Sequence, residues 1–514
     1  MNYITWAIVY MLGVMLLVGY IVSRRSVLMP RLVRLKGADR LDWGPFVKVW
    51  RQQFGQVSHG IKIHPELPLP ENRENENFFI LGAIGSGKTV GIINYMLQQL
   101  IDDFRAGRRR DKVVLYDVKG DFTQALYGLH GVDVKLFAPW DVRSVRWNLS
   151  RDVRSVTDAG LIASAAVPPS HGNRDPYWSN AARSVFEKLL ATLWSDCGPN
   201  SLQWPTLVAY LSDPIALRVF LETFPEGKQA ASNIQGDNAQ TQGVLSNLYE
   251  HTPWVAQLAR AWGYGVDFSL RDWLNDGKPG ILIMRNDARY PHIAGPIITM
   301  AYQLLMLEHM GRGESWRKDG HGKIWYMLDE FPTLPKINNL IKAIPTIRSL
   351  GGCFVLAAQD ISQVRAIYGE QDAQTVAGQC ATRIYFRLDG DAAEFASDMC
   401  GNKEEAMIQA GHFMPKGENL RSLVGTTMQD DITTSPVLLP GEFQALRRAD
   451  QMNMATEAFF QTSGMPLTKL TWPLTLFPKI AALEERAAWV TQPWTVTQQQ
   501  KQQQEAEAAY AAAQ

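Results

Sequence analysis

Cysteine is scarce. The 514-residue chain holds four, at Cys197, Cys353, Cys380 and Cys400, and no two stand as a C-x-x-C pair. That argues against a disulfide framework or a zinc site and suits a reducing cytosol. Net charge is missing too. Lysine plus arginine number 51, as do aspartate plus glutamate, so the formal charge is zero. A whole-protein basic field is excluded, and any nucleic-acid contact has to come from a local basic surface, such as a channel or one face. No internal repeat is found. Only one apolar run reaches membrane-spanning length, which leaves room for a single span. What remains is ample core material, 46% hydrophobic, in a chain long enough for two or three domains.

The apolar run is ITWAIVYMLGVMLLVGYIV, Ile4 to Val22. At a rise of about 1.5 Å per residue it matches the thickness of a hydrocarbon core. Arg24, Arg25, Arg31, Arg34 and Lys36 follow it, so the positive-inside bias places the bulk of the chain in the cytoplasm. A cleaved signal peptide is the competing reading. The run is too long for one, its basic residues lie on the wrong side, and no A-x-A site follows.

Beyond the polar stretch HPELPLPENRENENF, strand-like and helix-like segments alternate. FFILGAI reads as a buried strand, TVGIINYMLQQLIDDF as a helix and KVVLYDV as a strand. From about 152 to 265 strand-like runs disappear and helical patterns such as YWSNAARSVFEKLLATLW take over. GILIMRN, KIWYMLDE, CFVLAAQ and TRIYFRL resume the strands. This alternation predicts a parallel sheet covered on both faces, an α/β fold interrupted by a helical insertion. The closing TQQQKQQQEAEAAYAAAQ is low-complexity, with too few large apolar groups for a core.

Gly82-Ala83-Ile84-Gly85-Ser86-Gly87-Lys88-Thr89 fits G-x-x-x-x-G-K-[ST], after a strand and at the start of a helix, and Gly82 to Val90 are the expected nucleotide-binding residues. Glycines let backbone N–H groups close around phosphate oxygens, and the helix presents its positive end to the same anion. Lys88 is placed to reach the β- and γ-phosphates and Thr89 to bind Mg²⁺. In KIWYMLDEFP, acids close an apolar strand, a costly position unless they meet a cation. Asp329 is the natural Mg²⁺ partner. Glu330 is placed to orient and deprotonate an attacking water. Gln359, closing the apolar strand CFVLAAQ, suits a sensor of the γ-phosphate or the water. Arg348 reads either as a surface helix residue or as an arginine finger acting across a subunit boundary, with Arg383 and Arg387 as competing fingers.

Three further matches are set aside. Asp117-Val118-Lys119-Gly120 fits the D-x-x-G of GTPases, but Asn402-Lys403-Glu404-Glu405 lacks the aspartate that would read guanine, so ATP is the expected nucleotide. SLGGC, Ser349 to Cys353, follows the acidic pair, whereas a transporter-ATPase signature would precede it. The basic run Arg108 to Arg110 reads as a solvated loop unless it faces a channel.

In order along the chain, GAIGSGKT, LYDVKGDF, DPYWSNAAR, FSLRDWL, MLDEFPTLPKI, IRSLGGCFVLAAQD, YGEQDAQT and TRIYFRL resemble the type IV coupling proteins of conjugation and type IV secretion, over roughly Phe78 to Leu388. The resemblance implies a RecA-like ATPase domain interrupted by an all-α domain, forming a homo-hexameric ring at the bacterial inner membrane. It implies an ATP- and Mg²⁺-dependent motor that receives a relaxase–DNA complex and drives single-stranded DNA, or alternatively protein effectors, to a type IV secretion channel. It places Asp329, Glu330, Arg348 and Gln359 at the family's Mg²⁺-binding and catalytic acids, finger and sensor. Lys119 falls in a further family motif. The expected division is an anchor over 1–36 with its span at about 4–22, nucleotide-binding parts over 37–151 and 266–475, an all-α domain over 152–265 and a tail over 476–514. One departure is the single span, where family members usually have two.

Overall fold

The computed structural model describes residues 11–17, 31–55, 60–168, 176–198, 200–313, 320–408, 432–450 and 452–491. Most of the apolar run at 4–22 and the Gln/Ala-rich end lie outside them. Residues 11–17 are helical, and Met11, Leu12, Met15 and Leu16 are exposed. Among the described residues, no helix is long and apolar enough to cross a membrane.

Chain order gives β1 (Arg31–Gly37), then the small hairpin β2 (Lys62–His64) and β3 (Leu67–Pro68). Seven strands follow that share one direction: β4 (Phe78–Leu81), β5 (Lys112–Asp117), β6 (Val134–Phe137), β7 (Gly280–Arg285), β8 (Ile324–Leu328), β9 (Gly352–Ala358) and β10 (Thr382–Tyr385). After β11 (Asn402–Ile408) and β12 (Ile432–Pro436) come β13 (Ala455–Thr462) and β14 (Thr468–Pro473). The large sheet runs β14-β13-β10-β4-β9-β8-β5-β7-β6.

FFIL, IWYML and GCFVLAA are buried at every position, which is what strands covered on both faces require. The parallel sheet expected from the alternation is there, with one addition. β13 and β14 join its edge antiparallel. In β14, Thr468, Leu470 and Trp472 point inward while Lys469, Thr471 and Pro473 are exposed, the period-two pattern of a half-covered edge.

Between β6 and β7 the chain is helical, from Leu149–Asp152 to Leu270–Asn275. A buried cluster of Trp147, Trp204 and Trp262 packs against Phe137 of β6 and so ties the helices to the sheet. Asp152 is sealed beneath it. The indole of Trp147 donates to it at 2.6 Å, the Ser269 hydroxyl at 2.5 Å, and the Leu270 and Arg271 amides at 2.8 and 3.0 Å.

Two stretches behave differently from their composition. The basic residues at 31–37 are not only a flank: β1 pairs antiparallel with β11, in a register that sets Lys36 opposite Glu404. Residues 476–491 are not all tail. The Ile480 and Ala481 amides donate to Gln124, Ala487 to Trp140 and the Trp489 indole to Pro139, so this stretch straps the first part of the sheet.

Candidate nucleotide-binding site

Gly82–Thr89 turns from the carboxyl end of β4 into a single π-helical turn, Thr89–Ile93, and then the helix Asn94–Arg105. The loop needs its glycines sterically. Gly87 has φ +102°, and a Cβ there would stand 2.9 Å from Thr456. A Cβ on Gly82 would meet the Phe386 side chain at 2.7 Å. Thr456, on β13, donates to the Ser86 carbonyl at 2.7 Å and braces the loop from outside. Residues Ala83 to Val90 line a cavity of about 500 Å³ together with Lys119, Glu330, Gln359, Leu476 and Phe477.

The structure brings together the residues expected to meet phosphate and metal. The Thr89 hydroxyl donates to Asp329 Oδ2 at 2.7 Å across 240 residues of sequence. Lys88 is buried and donates to the Gly82 and Ala83 carbonyls of its own loop. Burial lowers its pKa to about 8, against the raising influence of Asp329 and Glu330. Asp329 Oδ1 is sealed from solvent without a hydrogen-bond partner, and burial raises this carboxyl to about 6 although Thr89 and Lys88 pull it down. A buried carboxylate with an unmatched oxygen beside a threonine hydroxyl fits a hard divalent cation such as Mg²⁺, which takes oxygen ligands and keeps several waters. Ser86 Oγ is likewise buried without a partner.

Glu330 adopts φ +62°, ψ 45°, a left-handed conformation uncommon outside glycine. Its carbonyl accepts from the Thr333 amide at 3.0 Å and the Thr333 hydroxyl at 2.8 Å. Its side chain accepts from Lys119 at 3.1 Å. Gln359 follows the last residue of β9, beside the loop.

Arg348 lies elsewhere. It is 45% exposed, 3.5 Å from Glu76, and precedes β9 at the amino ends of the parallel strands, whereas the loop follows β4 at their carboxyl ends. With β9 seven residues long, the two ends are about 20 Å apart, so Arg348 does not serve the site of its own chain. Arg383 donates to the Met399 carbonyl, and neither it nor Arg387 lines the cavity.

Two of the set-aside matches find structural uses. Asp117 is buried and accepts from the Gly120 and Thr123 amides and the Thr123 hydroxyl, each at 2.8 Å, which closes its own turn. Asn402–Glu405 lies in β11, in the three-stranded sheet β1-β11-β12. The basic run Arg108 to Arg110 is not simply a solvated loop, because Arg109 is half-buried and paired with Glu74, Asp103 and Asp111. Three contributors had no local signal in the sequence: Thr456, the apolar wall of Leu476 and Phe477, and the contact of Lys119 with Glu330. The wall is fixed by the Thr475 amide, which donates to Val90, and by Asn94, which donates to the Thr475 carbonyl.

A mixed α/β sheet with a glycine-rich loop and an acidic pair at its carboxyl edge defines a P-loop-type fold with a helical region inserted. The chain belongs to the family described as type IV secretion-system coupling protein DNA-binding domain, whose sequence model matches residues 61–471. It is 28% identical over 345 residues to the coupling protein TraD of Escherichia coli (strain K12), covering 66% of this chain and 46% of that protein. The chain thus spans about half the length of the curated relative it matches. Among solved structures it resembles the bacterial conjugative coupling protein TrwBdeltaN70 in its unbound monoclinic form, with a TM-score of 0.68, 20% identity, and 89% and 97% of the two chains covered. The plasmid coupling protein TrwB in complex with ADP and Mg²⁺ matches with a TM-score of 0.68, 20% identity, and 90% and 98% covered.

Proposed function

We propose that this chain is a membrane-anchored ATPase motor that couples a relaxase–DNA complex to a type IV secretion channel and moves single-stranded DNA. The observation that carries the nucleotide reading is the Thr89–Asp329 contact at 2.7 Å, with Lys88 and Glu330 on the same cavity. TrwB, of the same fold, is solved with ADP and Mg²⁺ and with a non-hydrolysable ATP analogue. Family membership supports the coupling role, and the basic-flanked apolar run at 4–22 supports an inner-membrane anchor.

The residues divide the work by position. Backbone amides of Gly82 to Thr89 and the Lys88 ammonium hold the β- and γ-phosphates. Thr89 and Asp329 would hold Mg²⁺, which when bound would supply positive charge against the phosphates and polarise the phosphoryl oxygens. Glu330 orients the attacking water and takes its proton. Gln359 contacts the γ-phosphate or that water. Leu476 and Phe477 offer an apolar wall to the base. Arg348, at the far end of the strands and exposed, suits the site of a neighbouring copy in a hexameric ring.

The test is ATP hydrolysis by the full-length chain in detergent, with and without single-stranded DNA. The motor reading expects DNA binding that weakens steeply with salt and DNA-stimulated turnover. Lys88→Ala and Glu330→Gln should each lower turnover by about a hundredfold or more. Absence of both DNA binding and DNA stimulation would overturn the reading, and stimulation by protein cargo alone would replace it with effector recruitment.

A further inference from the structure

Lys119 has no part in the mechanism above, yet it touches the group that matters most there. Its ammonium donates to Glu330 Oε1 at 3.1 Å, and it lines the same cavity as Lys88, Thr89 and Gln359. We propose that Lys119 is a phosphate-responsive clamp. It holds the Glu330 carboxylate as in this structure, and it transfers to the terminal phosphate of a bound nucleoside triphosphate, which frees Glu330 to take the proton of the water. The proposal rests on the nucleotide reading and adds a switch to it.

The geometry separates what moves from what stays. Lys119 sits in a turn closed by the three 2.8 Å bonds that Asp117 accepts. The Glu330 backbone is held by Thr333, whose hydroxyl also meets the Tyr116 hydroxyl at 2.8 Å. Asn286 donates to that same Tyr116 oxygen at 2.7 Å. Both backbones are therefore fixed, and the freedom left is in the lysine side chain, which is 60% exposed and has a long flexible stem.

The energetics favour the exchange. An ion pair with one exposed partner is weak, whereas an ammonium on a terminal phosphate makes charge-assisted bonds to an anion of higher charge. A carboxylate oxygen that accepts from an ammonium is less available to a water. A diphosphate lacks the group that would draw Lys119 away, so the clamp would distinguish the two nucleotides.

The test is a double-mutant cycle in binding. Affinities for the Mg²⁺ complexes of AMP-PNP and ADP are measured by calorimetry on the full-length chain in detergent, for wild type, Lys119→Ala, Glu330→Gln and the double variant. The clamp predicts that Glu330→Gln tightens AMP-PNP binding about two- to fivefold more when Lys119 is present than when it is alanine. ADP should show no such difference, and Lys119→Arg should preserve the coupling.

A permanent pair predicts the opposite sign. There Lys119 always shields the carboxylate, so Glu330→Gln helps AMP-PNP more in the Lys119→Ala background. That result, or equal coupling with ADP, would overturn the clamp and leave the nucleotide site standing. Failure of the wild-type chain to bind either nucleotide would overturn the site and the clamp together.

Discussion

The two ends of strand β8 carry charges of very different kinds. At its amino end, Lys323 donates to Glu74 at 2.6 Å, and Glu74 is fully buried. Arg109 donates twice to Glu74 and also to Asp111, while Asp111 accepts from the Trp325 indole and the Lys323 amide. Every oxygen of the two carboxylates has a partner. At the carboxyl end, Asp329 keeps one sealed oxygen unmatched, Ser86 keeps a sealed hydroxyl unmatched, and Lys88 sits on its own loop's carbonyls. Both ends bury charge in the same sheet. One end is closed on itself, as a structural network has to be, and the other is left incomplete where a cation and phosphates fit.

The sharpest way to break this contrast is to open the closed end. Glu74→Ala takes from Lys323 and Arg109 the buried carboxylate they share, and should cost about 3–5 kcal/mol in chemical or thermal unfolding. The nucleotide affinity of the folded fraction should stay unchanged.

Asp329→Asn probes the other end and should do the reverse. Burial raises the Asp329 pKa to about 6, so the ionised carboxylate costs stability. That cost is absent below the unfolded value near 4, grows as pH rises toward 6 and is constant above it. In protein free of nucleotide and Mg²⁺, the variant should gain on wild type by on the order of 3 kcal/mol between pH 4 and 7, read as a widening gap in Tm.

Lys88→Ala removes one cation from the incomplete end. Triphosphate affinity should fall by about ten- to a hundredfold in calorimetry, the range of a charge-assisted hydrogen bond, while Tm changes little. The smallest effect on folding is expected at Arg348, which is exposed and only loosely paired with Glu76. Arg348→Ala should alter stability by less than about 0.5 kcal/mol. A larger loss would mark Arg348 as part of the amino-end framework rather than a group free to serve a neighbouring copy.

The incomplete end was the part most legible in the sequence. The loop is contiguous in Gly82 to Thr89, and Asp329 and Glu330 stand together at the end of an apolar run, so local pattern was enough. Strands β4, β5, β7, β8, β9 and β10 were legible for the same reason, being short apolar runs bounded by polar residues. The closed end was not legible, because Glu74 and Lys323 are 249 residues apart and nothing in either segment names its partner. Arg109 shows the consequence. In sequence it was one of three surface arginines, and in the fold it is committed to Glu74. Thr456 and Phe477 reach the site only because β13 and the following strap return to the loop, which no periodicity announces. Arg348 was legible as a candidate finger, but its distance from the site within one chain comes from the length of β9.

The carboxyl end of β8 is left incomplete where a Mg²⁺-bound nucleotide fits. The most direct measurement is AMP-PNP affinity with and without Mg²⁺, for wild type and Asp329→Asn. Mg²⁺ should tighten binding to wild type by about tenfold or more, a charge-assisted contribution, and the variant should lose most of that gain. An equal Mg²⁺ effect in both proteins would contradict it.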